Sequence, residues 1–131
     1  MRSERRAIPA AVDRILAAVR PLGLPSDRIH DLAVALSEAL SNAAIHGNGR
    51  DPNREVQISI KVVPHTRAEV EVKDDGHGFD HGRLSDPTHP EQLLAPGGRG
   101  VFLMRRLVDR VDYEDGGSLV RLTVGKVRSG I

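Results

Sequence analysis

Three short stretches of this chain of 131 residues hold the side chains and glycines that could do chemistry. The first is SEALSN, residues 37–42, in which Glu38 and Asn42 stand four positions apart. On a helix, that spacing places both side chains on one face. Val34, Ala35 and Ile45 flank them at helical spacing, so the carboxylate and the amide need polar partners. Those partners belong either to a neighbouring strand, which the pair would brace, or to a ligand.

The second stretch is VKDDGHGFD, residues 72–80, at the end of a predicted strand. Asp74 supplies a carboxylate there, while Gly76 and Gly78 allow a flat ligand to approach the backbone more closely than any Cβ would permit. A carboxylate beside glycines suits a base that bears an amino group. The same residues would also form an ordinary glycine-rich turn with an aspartate cap.

The third stretch is GGRG, residues 97–100, directly before a predicted helix. Glycine amides at a helix N-terminus bind anions, and the helix dipole adds to the attraction. The P-loop motif G-x-x-x-x-G-K-[ST] occurs nowhere in the chain, and no lysine lies in a glycine loop. A phosphate site here would therefore differ from that of a P-loop protein.

Periodicity predicts the elements that position these stretches. Apolar residues at helical spacing predict three helices, near residues 9–19, 27–46 and 98–109. Alternating and β-branched runs predict four strands, at residues 55–63, 67–73, 111–114 and 119–124. Residues 80–97 contain three prolines and form a predicted loop that suits a lid over a ligand. The order of elements predicts an α+β fold, a two-layer sandwich with helices on one face of a mostly antiparallel sheet.

The length of the chain indicates a single domain, residues 1–131. The 19 lysines and arginines nearly balance the 18 aspartates and glutamates, so overall charge gives little reason to expect binding to nucleic acid or to a membrane. The chain has no cysteine and no apolar N-terminal signal region, which is typical of a cytoplasmic protein. No apolar run of about 18 residues is present to span a membrane.

Together the three stretches combine a base site, an amide oxygen suited to Mg²⁺ and a helix start suited to phosphates. Their order, E-x-x-x-N, then D-x-G-x-G, then G-x-G, resembles the Bergerat (GHKL) ATP-binding fold of gyrase, Hsp90, histidine kinases and anti-sigma-factor kinases. The runs LAVALSEALSNAAIHGN, VKDDGHGFD and GGRGVFLMRRLVDRV look most like the anti-sigma serine/threonine kinases of the RsbW and SpoIIAB type. The resemblance covers residues 27–124.

The resemblance implies a serine/threonine protein kinase that uses ATP and Mg²⁺. Carried over by motif, Asn42 would hold Mg²⁺, and Glu38 would be the general base that deprotonates the attacking hydroxyl group. Phosphoryl transfer depends mainly on positioning and charge neutralisation, so one base, a metal ion and a lid are sufficient machinery.

The resemblance also implies which residues bind the nucleotide. Asp74 would accept the adenine amino group, and Thr123 would be a second adenine contact. The other predicted contacts are glycines and one arginine: Gly76 and Gly78 at the base, and Gly98, Arg99 and Gly100 at the phosphates. His46 and Gly47 receive no chemical role.

The resemblance finally implies partners: a sigma factor held inactive, a STAS-domain anti-anti-sigma factor phosphorylated on Ser or Thr, and a second copy of the chain in a homodimer. The alternative is a non-catalytic module that binds ATP and acts only by sequestering a partner protein. Both Glu38 and Asn42 are present, which favours the kinase.

Overall fold

A computed structural model describes residues 1–49, 51, 53–76 and 98–127 of the chain. Three α-helices are present in this part: α1 (Ile8–Ala18), α2 (Ser26–Ser41) and α3 (Gly98–Leu107). Four strands form one sheet: β1 (Gln57–Val63), β2 (Arg67–Lys73), β3 (Arg110–Glu114) and β4 (Leu119–Gly125). The predicted lid over 80–97 lies outside the described residues, as does Gly78, so the lid stays a prediction.

The strands are arranged in the order β1-β2-β4-β3, and every neighbouring pair is antiparallel. Tight turns join β1 to β2 and β3 to β4, with left-handed backbone at His65 (φ 57°) and Gly116 (φ 70°). In the centre of the sheet, Lys73 of β2 pairs with Leu119 of β4. The chain leaving β2 therefore lies beside the chain entering β4, and Asp74 meets Ser118 at this end of the sheet.

The core lies on one face of the sheet, where strand alternation places the apolar residues. In β2 and β4 the buried residues are Ala68, Val70, Val72, Val120, Leu122 and Val124. The leucine stripe of α2 and residues Val101 and Met104 of α3 are also fully buried. The opposite face is polar, and there Arg121 contacts Glu71 and Glu114. The predicted α+β fold, with helices on one face of an antiparallel sheet, is confirmed.

The end of α2 departs from a regular α-helix. The sequence predicts a helix to residue 46, but the α-helical part ends at Ser41 and a π-helical turn follows over Asn42–Gly47. The Asn48 amide donates to the Ala43 carbonyl oxygen at 2.8 Å, five residues back, which closes the wider turn. Such turns occur frequently at functional sites, and this one begins at Asn42.

A mostly buried ion pair fixes the opposite end of the sheet. Arg28 Nη2 lies 3.1 Å from Asp109 Oδ2, with side chains 13% and 5% exposed. The same carboxylate oxygen accepts the Gly125 amide at 2.7 Å, and Arg28 Nη1 donates to the Lys126 carbonyl at 3.0 Å. The ion pair thus ties the start of α2 to the end of β4. Because β4 is seven residues long, the pair lies about 20 Å from Ser118 along the strand.

Candidate functional site

The start of α3 packs directly against the polar pair of α2. Gly100 is buried, and a Cβ at this position would lie 2.8 Å from Glu38 Oε2 and 3.2 Å from Asn42 Nδ2. A side chain at position 100 would force the Glu38 carboxylate to move, so glycine is required if Glu38 is to keep this position. The structure therefore brings together the first and third stretches, which are about 60 residues apart in the sequence.

Asp74 directly follows β2 and carries a buried carboxylate, 7% exposed. Its amide donates to the Ser118 carbonyl oxygen at 2.9 Å, and its Oδ1 accepts the Gly76 amide at 2.8 Å. Burial raises the pKa of the Asp74 carboxyl; the Gly76 hydrogen bond opposes the rise, and the neighbouring Asp75 charge adds to it. One oxygen of the carboxylate is thus held by the turn, which fixes the direction in which the group points.

Two glycines make room for this carboxylate. A Cβ at Gly47, the last residue of the π-helical turn, would lie 2.3 Å from Asp74 Oδ2. A Cβ at Gly76 would lie 2.0 Å from the Gly47 carbonyl oxygen. The end of the π-helical turn, Asp74 and the turn after it are therefore in contact. A side chain at Gly47 or at Gly76 would clash with these neighbours. The sequence alone does not identify Gly47 as a site residue, because a glycine after a helix is ordinarily interpreted as a stop signal.

Asn42 and Asp74 line the same cavity between α2, α3 and the sheet. Its other walls include Val72, Met104, Tyr113 and Ser118. Within the described residues the cavity has room for about one water molecule. Tyr113, which no sequence motif marks as a site residue, also lines this cavity, and burial raises the pKa of its phenol.

The structure places Thr123 apart from this site, which does not favour its predicted role as an adenine contact. Side chains alternate along β4, and the core face carries Val120, Leu122 and Val124. Thr123 lies on the other face and lines a groove with Arg121 and Asp112. The sheet thus separates it from Asp74.

The remaining predicted residues lie partly outside the described structure. Gly98 and Arg99 fall in the first turn of α3, close in sequence to Gly100, but the Arg99 side chain lies outside the described part. Gly78 is also outside it. Where the structure describes the chain, no group of three His, Asp or Glu side chains is placed to hold a metal ion. Asn42 is the candidate ligand, and its amide oxygen suits Mg²⁺, which commonly takes one or two protein ligands together with substrate phosphates.

Comparison with known proteins assigns the chain and its fold to a class. A family model described as histidine kinase-like ATPase domain matches residues 1–124, and the chain belongs to this family. The histidine kinase domain of a blue-light activated kinase from Erythrobacter litoralis has a TM-score of 0.58 and 22% identity, covering 89% of this chain and 60% of that one. The mycobacterial sensor histidine kinase MprB has a TM-score of 0.52 and 19% identity, covering 74% and 71%. These structures show the fold alone.

Curated relatives narrow the class further. The serine-protein kinase RsbW of Bacillus subtilis is 37% identical over 100 residues, which cover 72% of this chain and 62% of the relative. RsbW of Bacillus licheniformis is 36% identical over 109 residues, covering 78% and 68%. An anti-sigma F factor of Heyndrickxia coagulans is 29% identical over 116 residues, covering 83% and 78%. The resemblance to the anti-sigma kinases is confirmed, and the chain spans just under two thirds of the Bacillus subtilis relative.

None of the helices in the described part of the chain is both long enough and apolar enough to cross a membrane.

Proposed function

We propose that this chain is an ATP-dependent serine/threonine protein kinase that acts as an anti-sigma factor. It binds a sigma factor and phosphorylates a STAS-domain anti-anti-sigma factor. The observation that carries the proposal is the contact of Gly100 with Glu38 and Asn42, beside the cavity that Asn42 shares with Asp74. The candidate general base (Glu38), the candidate metal ligand (Asn42) and the candidate adenine-binding carboxylate (Asp74) thus lie at one site. The names of the similar proteins, serine-protein kinase RsbW and anti-sigma F factor, support the reaction and the target.

Asp74 recognises adenine in this proposal. Its carboxylate accepts the exocyclic amino group of the base, a hydrogen bond that guanine, with a carbonyl at that position, does not offer. The Gly76 amide already donates to Oδ1, so this proposal assigns the adenine amino group to Oδ2. Gly76 and Gly78 allow the close approach of the flat ring.

Glu38 is the catalytic base. The hydroxyl oxygen of a serine or threonine attacks the γ-phosphorus, the bond to the β,γ-bridging oxygen breaks, and ADP leaves. The Glu38 carboxylate accepts the hydroxyl proton. Since Gly100 limits the space around Glu38 Oε2, the start of α3 fixes the direction in which the Glu38 carboxylate faces.

Asn42 would hold Mg²⁺, which when bound neutralises charge on the phosphates. The start of α3, with Gly98 and Gly100, presents amides to the phosphate oxygens, and Arg99 supplies positive charge there. Because Gly100 contacts both Glu38 and Asn42, a single helix start aligns the base and the metal ligand with the phosphates.

The chain acts in the cytoplasm as a homodimer in this proposal. Neither nucleic acid nor a membrane surface is a partner, in keeping with nearly balanced charge.

The proposal is tested in two steps, first by calorimetry of ATP binding in the presence of Mg²⁺. The natural chain should bind, whereas Asn42→Ala and Asp74→Asn should bind at least tenfold more weakly. Equal affinity in all three would refute the site.

In the second step, labelled phosphate should pass from ATP to a purified STAS-domain protein. Glu38→Gln should abolish this transfer while binding ATP within about threefold of the natural chain, because a general base contributes about 10²–10⁴-fold to rate. ATP binding without any transfer by the natural chain would instead identify the non-catalytic module.

A further inference from the structure

Asn48 is a buried side chain beside the nucleotide site that does not line the cavity. It follows the π-helical turn and is 2% exposed. Its Oδ1 accepts the Asp75 amide at 2.7 Å. That amide lies between Asp74, the proposed adenine contact, and Gly76, whose amide holds the Asp74 carboxylate. Asn48 therefore contacts the turn that carries the recognition group, although it is about 25 residues away in sequence.

The NH₂ group of the Asn48 side chain also has hydrogen-bond acceptors for both of its hydrogens. Nδ2 donates to Ser3 Oγ at 2.9 Å and to the Glu55 carbonyl oxygen at 3.2 Å. A backbone carbonyl can only accept and a backbone amide can only donate, so the reversed orientation of the side-chain amide would lose both backbone bonds. These partners therefore fix which atom of Asn48 faces Asp75.

Ser3 is itself held in place by the N-terminal segment. It is fully buried, and its hydroxyl donates to the Arg54 carbonyl oxygen at 2.7 Å. Arg2 forms an antiparallel bridge with Glu55, and the Val56 amide donates to the Met1 carbonyl oxygen at 2.8 Å. A continuous path of hydrogen bonds thus runs from this segment through Ser3 and Asn48 to the turn at Asp75.

Three consecutive amides hold the turn, each with a different acceptor. Asp74 donates to the Ser118 carbonyl oxygen, Asp75 to Asn48 Oδ1, and Gly76 to the Asp74 carboxylate. The first bond is made between backbone groups and the third within the turn. Only the middle bond of the three depends on a side chain from another part of the chain.

We propose that Asn48, supported by Ser3, is a positioning residue that sets the selectivity of this site for adenine over guanine nucleotides. The inference rests on the proposed function, since it concerns how Asp74 is presented to the base. Without the Asn48 acceptor, the Asp75 amide loses its partner and the turn is free to shift. The Asp74 carboxylate then no longer meets the adenine amino group at a fixed angle.

The experiment measures ATP and GTP dissociation constants by calorimetry with Mg²⁺, together with urea unfolding. Asn48→Ala should weaken ATP binding about tenfold, because the Asp75 amide loses its acceptor and the turn no longer holds the Asp74 carboxylate in place; tenfold corresponds to about the net worth of one hydrogen bond. GTP binding should change less, so the preference for ATP should fall. Asn48→Asp keeps an oxygen facing Asp75 and should restore most of the preference, even if the loss of two donors lowers its stability.

Asp109→Asn is the matched control, because it perturbs a buried polar group at the far end of β4. At a comparable loss of unfolding free energy, it should leave both dissociation constants unchanged. An ATP preference that falls equally in Asn48→Ala and Asp109→Asn would overturn the inference, as would unchanged constants in Asn48→Ala. If Asn48→Ala does not fold, Ser3→Ala decides: a threefold weaker ATP affinity supports the inference, and an unchanged one refutes it. No ATP binding by the natural chain would reject the proposed function itself.

Discussion

Gly47 lies so close to Asp74 that a methyl group on Gly47 would stand 2.3 Å from Oδ2 and 2.4 Å from Cγ of the carboxyl group. Asp74 is a short side chain with one oxygen already bonded to Gly76, so it has little freedom to move aside. The contact joins the end of the π-helical turn that starts at Asn42 to the residue proposed to recognise the base. The position of Asp74 is therefore set as much by what Gly47 lacks as by its own hydrogen bonds.

Gly47→Ala should displace the Asp74 carboxylate and weaken ATP binding at least tenfold. Gly49→Ala is the control, since Gly49 has open space around it but left-handed backbone (φ 62°). It should cost about 1 kcal/mol of unfolding free energy, from strain at positive φ, and leave ATP affinity unchanged. Calorimetry and urea unfolding of both variants separate the two effects. Equal ATP affinity in Gly47→Ala and the natural chain would contradict the prediction.

Gly100→Ala should act on turnover more than on stability. The nearest atom to the new methyl group would be Glu38 Oε2, at 2.8 Å, the far end of a flexible side chain. Rotation of the Glu38 carboxylate relieves the clash, but a displacement of about 1 Å at a reacting group can cost about 100-fold in rate. Phosphate transfer should fall by about that factor, with a smaller change in ATP affinity. Transfer at the natural rate would show that Glu38 does not need its present position.

The fold and the clustering of most candidate site residues are predictable from the sequence because they rest on local patterns. Helical spacing places Glu38 and Asn42 on one face, and Asp74 with Gly76 follows directly from a strand. The local pattern gives no information about steric contacts between segments that are distant in the sequence. The requirement for glycine at 47 arises from Asp74, about 27 residues later, and becomes visible only when the two segments are in contact.

Two further features depend on long-range pairing. The face on which Thr123 lies is decided by the register of β4 against β2, where a shift of one residue would exchange the two faces. The sequence predicts that β1 begins at Glu55, but the strand begins at Gln57. Glu55 instead forms an isolated bridge with Arg2. The π-helical turn likewise depends on tertiary packing around Asn48, which helical periodicity does not report.

The ion pair of Arg28 and Asp109 should contribute to stability without contributing to ATP binding. Asp109→Ala leaves the Arg28 guanidinium and the Gly125 amide without this carboxylate, and breaking such a pair costs about 3 kcal/mol. Asp112→Ala is the control, because Asp112 pairs with Arg110 at 2.8 Å on the surface, with side chains 30% and 72% exposed. Its removal should change unfolding free energy by less than about 0.5 kcal/mol. Similar losses in the two variants would contradict the ranking.

Asp74→Asn should weaken ATP binding at least tenfold and at the same time stabilise the chain at neutral pH. Burial raises the pKa of Asp74 above its ordinary value of 3.8, so the folded state binds this proton more tightly than the unfolded state does. Between those two pKa values the folded state carries more protons, and stability falls as pH rises. Above the raised pKa the whole cost of the buried charge is present. At low pH the natural chain and the variant should be about equally stable, because both side chains are then uncharged.

The measurement is urea unfolding of the natural chain and Asp74→Asn across the acidic to neutral range. An asparagine keeps an oxygen that accepts the Gly76 amide, so the variant loses the charge and not the turn. The difference in unfolding free energy should be smallest near pH 3 and should grow in favour of the variant as pH rises, reaching a plateau above the pKa of the folded state. A variant less stable than the natural chain at pH 7 would mean that hydrogen bonding to the carboxylate outweighs its desolvation. A stabilised variant that no longer binds ATP would show that Asp74 is retained for recognition at the expense of stability.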